Sequence, residues 1–192
     1  AGAALRHIPI GHDDQGTFST ESFMEQLHRA VKHSVPKPSA VVLNFPANPT
    51  SLVVDLAFYQ EVVDFCRKHE IYVLSDIAYS EIYFDGNPPP SILQCKGAKD
   101  IAVEFYSLSK TYSMAGWRIG FATGNKKLIN ALTRIKSYLD YGAFTPVQVA
   151  ATAALNGPQD CVEEFRNLYR ERRDVFIEGA LSAGWEIPSP AA

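Results

Sequence analysis

The chain has 192 residues, of which 46% are hydrophobic and 20% charged, and its formal net charge is −3 at pH 7. This composition is typical of a folded domain with a substantial core and excludes a largely disordered or low-complexity chain. The small acidic excess gives no electrostatic reason to expect nucleic acid or an anionic membrane as a partner.

The cysteines and the ends of the chain bear on its setting. Cys66, Cys95 and Cys161 are few and widely separated, and neither they nor the five histidines show metal-ligand spacing. We therefore predict no metal site and a reduced, cytoplasmic protein. No apolar run approaches the roughly 20 residues that span a bilayer. The chain starts without methionine and stops just after a predicted helix, so we expect an excised piece of a longer protein.

Short apolar runs separated by helical patterns indicate the fold. We predict strands over residues 40–45, 71–76, 101–109 and 120–124. We predict helices that begin at residues 55, 125, 145 and 159, the last two running to the Gly157-Pro158 break and to about Leu181. Near-continuous apolar strands are typical of parallel sheets covered by helices. The sequence thus predicts an α/β domain with a mostly parallel sheet flanked by helices.

Polar residues end three of these strands. The strands run to Asn44, Asp76 and Lys110. Because ligands of such sheets gather at the carboxyl ends of the strands, we expect the three groups to meet at one edge.

Lys110 lies in the stretch Ser107-Leu108-Ser109-Lys110 and is followed by Arg118. At the end of an apolar strand its amine would be poorly solvated and available as a nucleophile. The hydroxyls of Ser107 and Ser109 and the Arg118 guanidinium would suit a phosphate dianion. An amine beside a phosphate cradle suits pyridoxal phosphate held as a Schiff base. Taken singly, a surface lysine, strand-edge hydroxyls and an arginine paired with a carboxylate are credible alternatives.

Three further residues fit the same cofactor. A buried Asp76 carboxylate would keep a pyridine nitrogen protonated, although a helix cap is the alternative. The Tyr79 hydroxyl would reach the ring oxygen, although most tyrosines are core or surface residues. Asn48 would hold the same oxygen, although an Asn-Pro turn explains it equally well in isolation.

These motifs resemble a known family. Residues 44–50, 76–79 and 107–120 together are similar to the signature of the class I/II, fold-type I aminotransferases that depend on pyridoxal phosphate. Residues 115–118 and 141–148 resemble the bacterial alanine and LL-diaminopimelate aminotransferases within it.

The resemblance implies roles for the candidates. Lys110 would form the Schiff base and move the proton, and Asp76 would pair with the pyridine nitrogen. The remaining contacts would be to the ring oxygen and the phosphate: Asn48 and Tyr79 for the oxygen, and Ser107, Ser109 and Arg118 for the phosphate. One departure is Ser51, where the family's Asn-Pro-Thr motif continues with glycine. Serine tolerates a positive φ less well than glycine, so the resemblance does not establish the geometry of this turn.

The resemblance also implies the context. Residues 1–156 would be the central part of the cofactor-binding large domain, and residues 157–192 a long helix leading to a small C-terminal domain outside the chain. The expected reaction is transamination between an amino acid and a 2-oxo acid, and the first choice of substrates is alanine with 2-oxoglutarate. The expected oligomeric state is a homodimer. Alternatives are LL-diaminopimelate as amino donor, a cofactor-binding sensor domain of a transcriptional regulator, and β-elimination or decarboxylation with the same cofactor.

Overall fold

A computed structural model describes residues 2–11 and 18–192. The helices are α1 Thr20–Lys32, α2 Leu56–Lys68, α3 Leu108–Thr111, α4 Lys126–Leu139, α5 Thr145–Asn156 and α6 Asp160–Ser182. The strands are β1 Ala40–Asn44, β2 Tyr72–Asp76, β3 Ala102–Ser107 and β4 Gly120–Gly124. Single 3-10 turns occur at Ile92–Gln94, Ala98–Asp100 and Ala115–Trp117.

The strands form one sheet in the order β1-β2-β3-β4. The first three strands are parallel and β4 is antiparallel to β3. Asn44 is paired with Asp76, and Asp76 with Phe105, so the carboxyl ends of β1 and β2 are level and β3 extends two residues further. The prediction of a mostly parallel α/β sheet flanked by helices is confirmed.

The main hydrophobic core lies between one face of the sheet and helices α1 and α2. Val41 and Val73 point into it from the strands, and Phe23 and Phe58 from the helices. The Phe23 and Phe58 rings meet edge to face at a centroid distance of 5.2 Å. Helix α2 begins where predicted, because the Asp55 carboxylate accepts a hydrogen bond from the Phe58 amide at 2.8 Å.

The opposite face of the sheet is less covered. Val42 on β1 is 66% exposed and Phe105 on β3 is 37% exposed, although both side chains are large and apolar. The described residues therefore bury one face of the sheet and leave apolar surface on the other.

One carboxylate lies inside the molecule. Glu104 on β3 is 3% exposed and accepts hydrogen bonds from the Ser91 hydroxyl at 2.7 Å and the Ile92 amide at 2.8 Å. Burial raises the pKa of its carboxyl group above the usual value, and the two hydrogen bonds partly oppose that effect. The side chain thereby holds the 3-10 turn Ile92–Gln94 against the sheet.

The third predicted strand is too long. Strand β3 ends at Ser107, whose hydroxyl accepts a hydrogen bond from the Ser109 amide at 3.2 Å and caps the single turn α3. This cap turns the chain out of the sheet, so Ser109 and Lys110 are helical rather than extended. Helix α1, which begins at Thr20 after the capping residue Ser19, was not predicted.

The chain after α6 returns to the loop that follows β2. The Phe84 amide donates to the Ala191 carbonyl at 2.8 Å, and Arg173 donates to the Pro190 carbonyl at 3.1 Å. Over residues 2–11 and 18–192, the helices include none with both the length and the apolar character to cross a bilayer.

Candidate active site

Lys110 lies on the one-turn helix α3 directly after β3. The turn is fixed by its buried residue Leu108, whose amide donates to the Ile119 carbonyl at 3.2 Å. The Lys110 side chain is exposed, so the prediction of a poorly solvated amine is wrong for this chain. The amine still has a neighbour from another strand end, because Nζ lies 5.5 Å from the centre of the Tyr79 ring.

Asn48 and Tyr79 come together although they follow different strands. The Asn48 side-chain amide donates to the Tyr79 hydroxyl oxygen at 3.3 Å. Tyr79 thus contacts the Asn48 side-chain amide through its hydroxyl and the Lys110 amine through its ring. Of the predicted site residues, these three are brought together by direct side-chain geometry.

Asn44 orients the loop that carries Asn48. The Asn44 side-chain oxygen accepts a hydrogen bond from the backbone amide of Asn48 at 3.1 Å. The Asn44 side-chain nitrogen donates to the backbone carbonyl of Asp76 at 3.4 Å. The sequence pattern predicts Asn44 only as the last residue of a strand. The available signal was its spacing, since an asparagine often accepts from a backbone amide a few residues further along a turn.

Ser51 closes the same loop with a left-handed backbone. Its φ is +57°, and its amide donates to the Ala47 carbonyl at 2.8 Å. Few residues other than glycine adopt this conformation without cost, so Ser51 keeps the left-handed turn that glycine would favour, at some cost in strain.

Asp76 ends β2 beside Asn44 and is exposed, so the predicted buried carboxylate is wrong for this chain. The carboxylate accepts a hydrogen bond from the Ala78 amide at 3.1 Å. This contact satisfies one oxygen and fixes the turn toward Tyr79, which agrees in part with the capping alternative. The exposure follows from its position at the open carboxyl edge of the sheet.

The predicted phosphate-binding residues sit where β3 and β4 meet. Ser107 is paired with Gly120, two residues after Arg118. A side chain at Gly120 would collide with the Tyr106 carbonyl oxygen, so glycine allows this close approach. Arg118 has a φ of +52° and its guanidinium donates to the Ala115 carbonyl at 3.1 Å. Arg118 therefore lies two residues before the ladder partner of Ser107, and its guanidinium contacts the Ala115 carbonyl.

The chemistry of this donor set fits pyridoxal phosphate. Tyr79 contacts both the Lys110 amine and the Asn48 side-chain amide, and the Asp76 carboxylate ends β2, the strand that precedes Tyr79. Ser107 and Ser109 lie just before Lys110 along the chain, and hydroxyl and guanidinium groups are suited to bind a phosphate. In the part of the chain that the structure describes, no cluster of three or more His, Cys, Asp or Glu side chains could hold a metal ion.

The sequence matches the family Aminotransferase class I and II over residues 1–192. The chain is 57% identical over 192 residues to AatC of Rhizobium meliloti (strain 1021), which is named as an aminotransferase. This match covers 100% of the chain and 46% of the relative. The chain is 48% identical over 192 residues to the glutamate-pyruvate aminotransferase AlaC of Escherichia coli (strain K12), with 100% and 45% covered. An LL-diaminopimelate aminotransferase of Moorella thermoacetica (strain ATCC 39073 / JCM 9320) is 46% identical over 174 residues, with 91% and 45% covered.

Solved structures agree with these sequence matches. Substrate-bound BacF from Bacillus subtilis superposes with a TM-score of 0.78 at 39% identity, over 81% of this chain and 39% of that protein. The chain spans less than half the length of the curated relatives that it matches. The family match over its whole length, together with this structural likeness, shows that the chain belongs to the class I and II aminotransferases, a family of enzymes that depend on pyridoxal phosphate.

Proposed function

We propose that this chain is the cofactor-binding centre of an aminotransferase that exchanges an amino group between an amino acid and a 2-oxo acid. Residues 1–156 would be the central part of its large domain, and residues 157–192 would lead to the small domain. The observation that carries the proposal is the cluster of Lys110, Tyr79 and Asn48, with its contacts of 5.5 Å and 3.3 Å. The full-length protein is expected to be cytoplasmic and homodimeric.

Bound pyridoxal phosphate supplies an electron-accepting ring that stabilises negative charge at the substrate Cα. Lys110 Nζ would hold the cofactor before substrate arrives and would then take the proton from the substrate Cα and deliver it to the cofactor.

The remaining residues would bind and orient the cofactor. The Asp76 carboxylate would hold a proton on the ring nitrogen by charge attraction. The Tyr79 hydroxyl and the Asn48 amide would donate to the ring oxygen, and their mutual contact fixes both groups in advance. Ser107, Ser109 and Arg118 would bind the phosphate, where charge-assisted hydrogen bonds are strongest.

Alanine with 2-oxoglutarate is the first substrate pair to test, because AlaC is named as a glutamate-pyruvate aminotransferase. LL-diaminopimelate is the second donor, because the Moorella relative is named for it. Full-length protein should be assayed with each donor and 2-oxoglutarate, with glutamate as the measured product. Formation of glutamate separates transfer from elimination and decarboxylation, which release no glutamate.

The attachment site is tested by borohydride reduction of the full-length protein with cofactor, followed by peptide mapping. The label should lie on Lys110, and Lys110→Ala should abolish it. Lys126→Ala, which changes another exposed lysine at the start of α4, should leave labelling unchanged. A label on any other lysine would contradict the proposal.

A further inference from the structure

Helix α6 grips the loop after β2 through one arginine. Arg166 Nε donates to the Glu81 carbonyl at 3.1 Å, and its Nη2 donates to the Glu81 carboxylate at 3.3 Å. The guanidinium carbon also lies 4.0 Å from the centre of the Tyr83 ring. The Arg166 side chain is 23% exposed, so the pair is partly shielded from solvent. A single guanidinium thus fixes the backbone, a charge and a ring of the same short segment.

Glu81 belongs to the turns that carry Tyr79. The Ser80 amide donates to the Ile77 carbonyl at 3.0 Å, and the Ile82 amide donates to the Tyr79 carbonyl at 3.0 Å. Glu81 lies inside the second turn, so an anchor on its carbonyl restrains the peptide planes next to Tyr79. The anchor comes from a helix 85 residues away in sequence.

The position of the Tyr79 hydroxyl is sensitive to such restraint. Its contact with Asn48 is 3.3 Å long, which is already at the long end for a hydrogen bond. A small displacement of the loop would break that contact and move the hydroxyl away from the place of the cofactor's ring oxygen.

We propose that Arg166 is a positioning residue that holds the Tyr79 hydroxyl in place through Glu81; this rests on the function proposed above. Arg173, two turns later on the same face of α6, makes a similar contact further along the loop. It binds both Asp85 carboxylate oxygens, at 2.8 Å and 3.1 Å, and lies 4.6 Å from the centre of the Phe84 ring. The helix therefore fastens the loop at two points, of which Arg166 is the nearer to Tyr79.

If the ion pair between Arg166 and Glu81 were purely structural, its loss would lower thermal stability without changing the electronic properties of the cofactor. The test therefore uses the visible absorbance of cofactor bound to full-length protein, titrated with pH, beside steady-state kinetics. A hydroxyl that donates to the ring oxygen weakens the attraction of that oxygen for a nearby proton. Tyr79→Phe should accordingly raise the pH midpoint by about one unit, the effect of one charge-assisted hydrogen bond.

Arg166→Met should raise the midpoint in the same direction by roughly half as much, because the hydroxyl is displaced rather than removed. It should add little in a Tyr79→Phe background, because the group on which it acts is then absent. Arg166→Lys, which keeps the charge and one donor, should restore part of the wild-type midpoint. Arg170→Met changes an exposed arginine of the same helix, and its midpoint should equal that of the wild type.

A wild-type midpoint in Arg166→Met, with the Tyr79→Phe shift present, would overturn the positioning role alone. So would full additivity of the two substitutions. If Arg166→Met does not fold, Arg166→Lys and Glu81→Gln carry the same comparison, and wild-type midpoints in both would refute it. A wild-type protein with no cofactor band attributable to Lys110 would overturn the proposed function, and this inference with it.

Discussion

The side-chain amide of Asn48 donates to the hydroxyl oxygen of Tyr79 at 3.3 Å, although 31 positions separate the two residues. Each follows a different strand, and the pairing of Asn44 with Asp76 sets how far apart the two loops begin. The pairing of β1 with β2 therefore sets the separation of the two loops, and short turns are enough to bring Asn48 and Tyr79 into contact.

Tyr79→Phe should reduce kcat/KM of the full-length enzyme by roughly tenfold, the effect of losing one hydrogen bond to a charged group. The phenyl ring keeps the packing beside Lys110, so the unfolding free energy should change little. Steady-state kinetics and urea denaturation check the two halves. Tyr169→Phe on α6 is the control and should behave as the wild type. Equal kcat/KM values for wild type and Tyr79→Phe would show that the hydroxyl does not contact the reacting system.

Asp76→Ala should lower turnover by on the order of a hundredfold or more, because the ring nitrogen would lose the group that keeps it protonated. Borohydride should still label Lys110, since the lysine itself is unchanged. Turnover is measured with the best donor from the substrate assay, and labelling by peptide mapping. Asp64→Ala, on the surface of α2, is the matched control. Full turnover in the Asp76 variant would contradict the role of its carboxylate.

Ser51→Gly should raise the unfolding free energy of the full-length protein by about 0.5 kcal/mol. The left-handed conformation costs serine roughly 1–2 kcal/mol, and the greater freedom of glycine in the unfolded chain offsets part of the gain. Ser51→Val should be destabilising by more than about 1 kcal/mol, because branching at Cβ worsens the same conformation. Ser39→Gly, whose φ is not positive, should be slightly destabilising. Denaturant titration checks the order, and a loss of stability in Ser51→Gly would contradict the strain.

Glu104 should make stability depend on pH in a specific direction. Burial raises the pKa of its carboxyl, so the folded state holds the proton more tightly than the unfolded state. Its contribution is greatest below the usual glutamate pKa and falls as pH rises through the raised value. Glu104→Gln should remove this dependence, whereas Glu104→Ala should cost about 1–3 kcal/mol by leaving the Ser91 and Ile92 donors unsatisfied.

The Glu104 measurement is a set of urea titrations of the full-length protein across the acidic range. The difference in unfolding free energy between wild type and Glu104→Gln should shift against the wild type as pH increases. Glu61→Gln, at an exposed position of α2, should show no such trend. A constant difference across the range would mean that the buried carboxylate does not titrate differently on folding.

The sequence was sufficient to predict most of the fold. Strands β1, β2 and β4 and helices α4 and α6 lie within one or two residues of their predicted bounds, because prolines, glycines and capping side chains end their apolar patterns. The end of β3 was misplaced because the Ser107 cap is a side-chain contact that an apolar pattern does not reveal. Local periodicity predicts elements, whereas a cap depends on the geometry of one hydroxyl.

Less of the candidate site was predictable. The motifs singled out Lys110, Tyr79 and Asn48, and the structure brings these three together. The predicted burial of Lys110 and Asp76 was wrong, because the burial of a side chain depends on every segment that packs against it. Arg166 has no local signal at all, since its partner Glu81 lies 85 residues earlier and only the packing of α6 brings the two together.

The level ends of the neighbouring parallel strands have a consequence for change over evolutionary time. Asn44 and Asp76 are held level by strand pairing, and β3 continues from Phe105, the partner of Asp76, to α3. Insertions or deletions in the connections at the opposite edge would leave these residues in register. The geometry of the candidate site is thereby insulated from variation in the length of those connections.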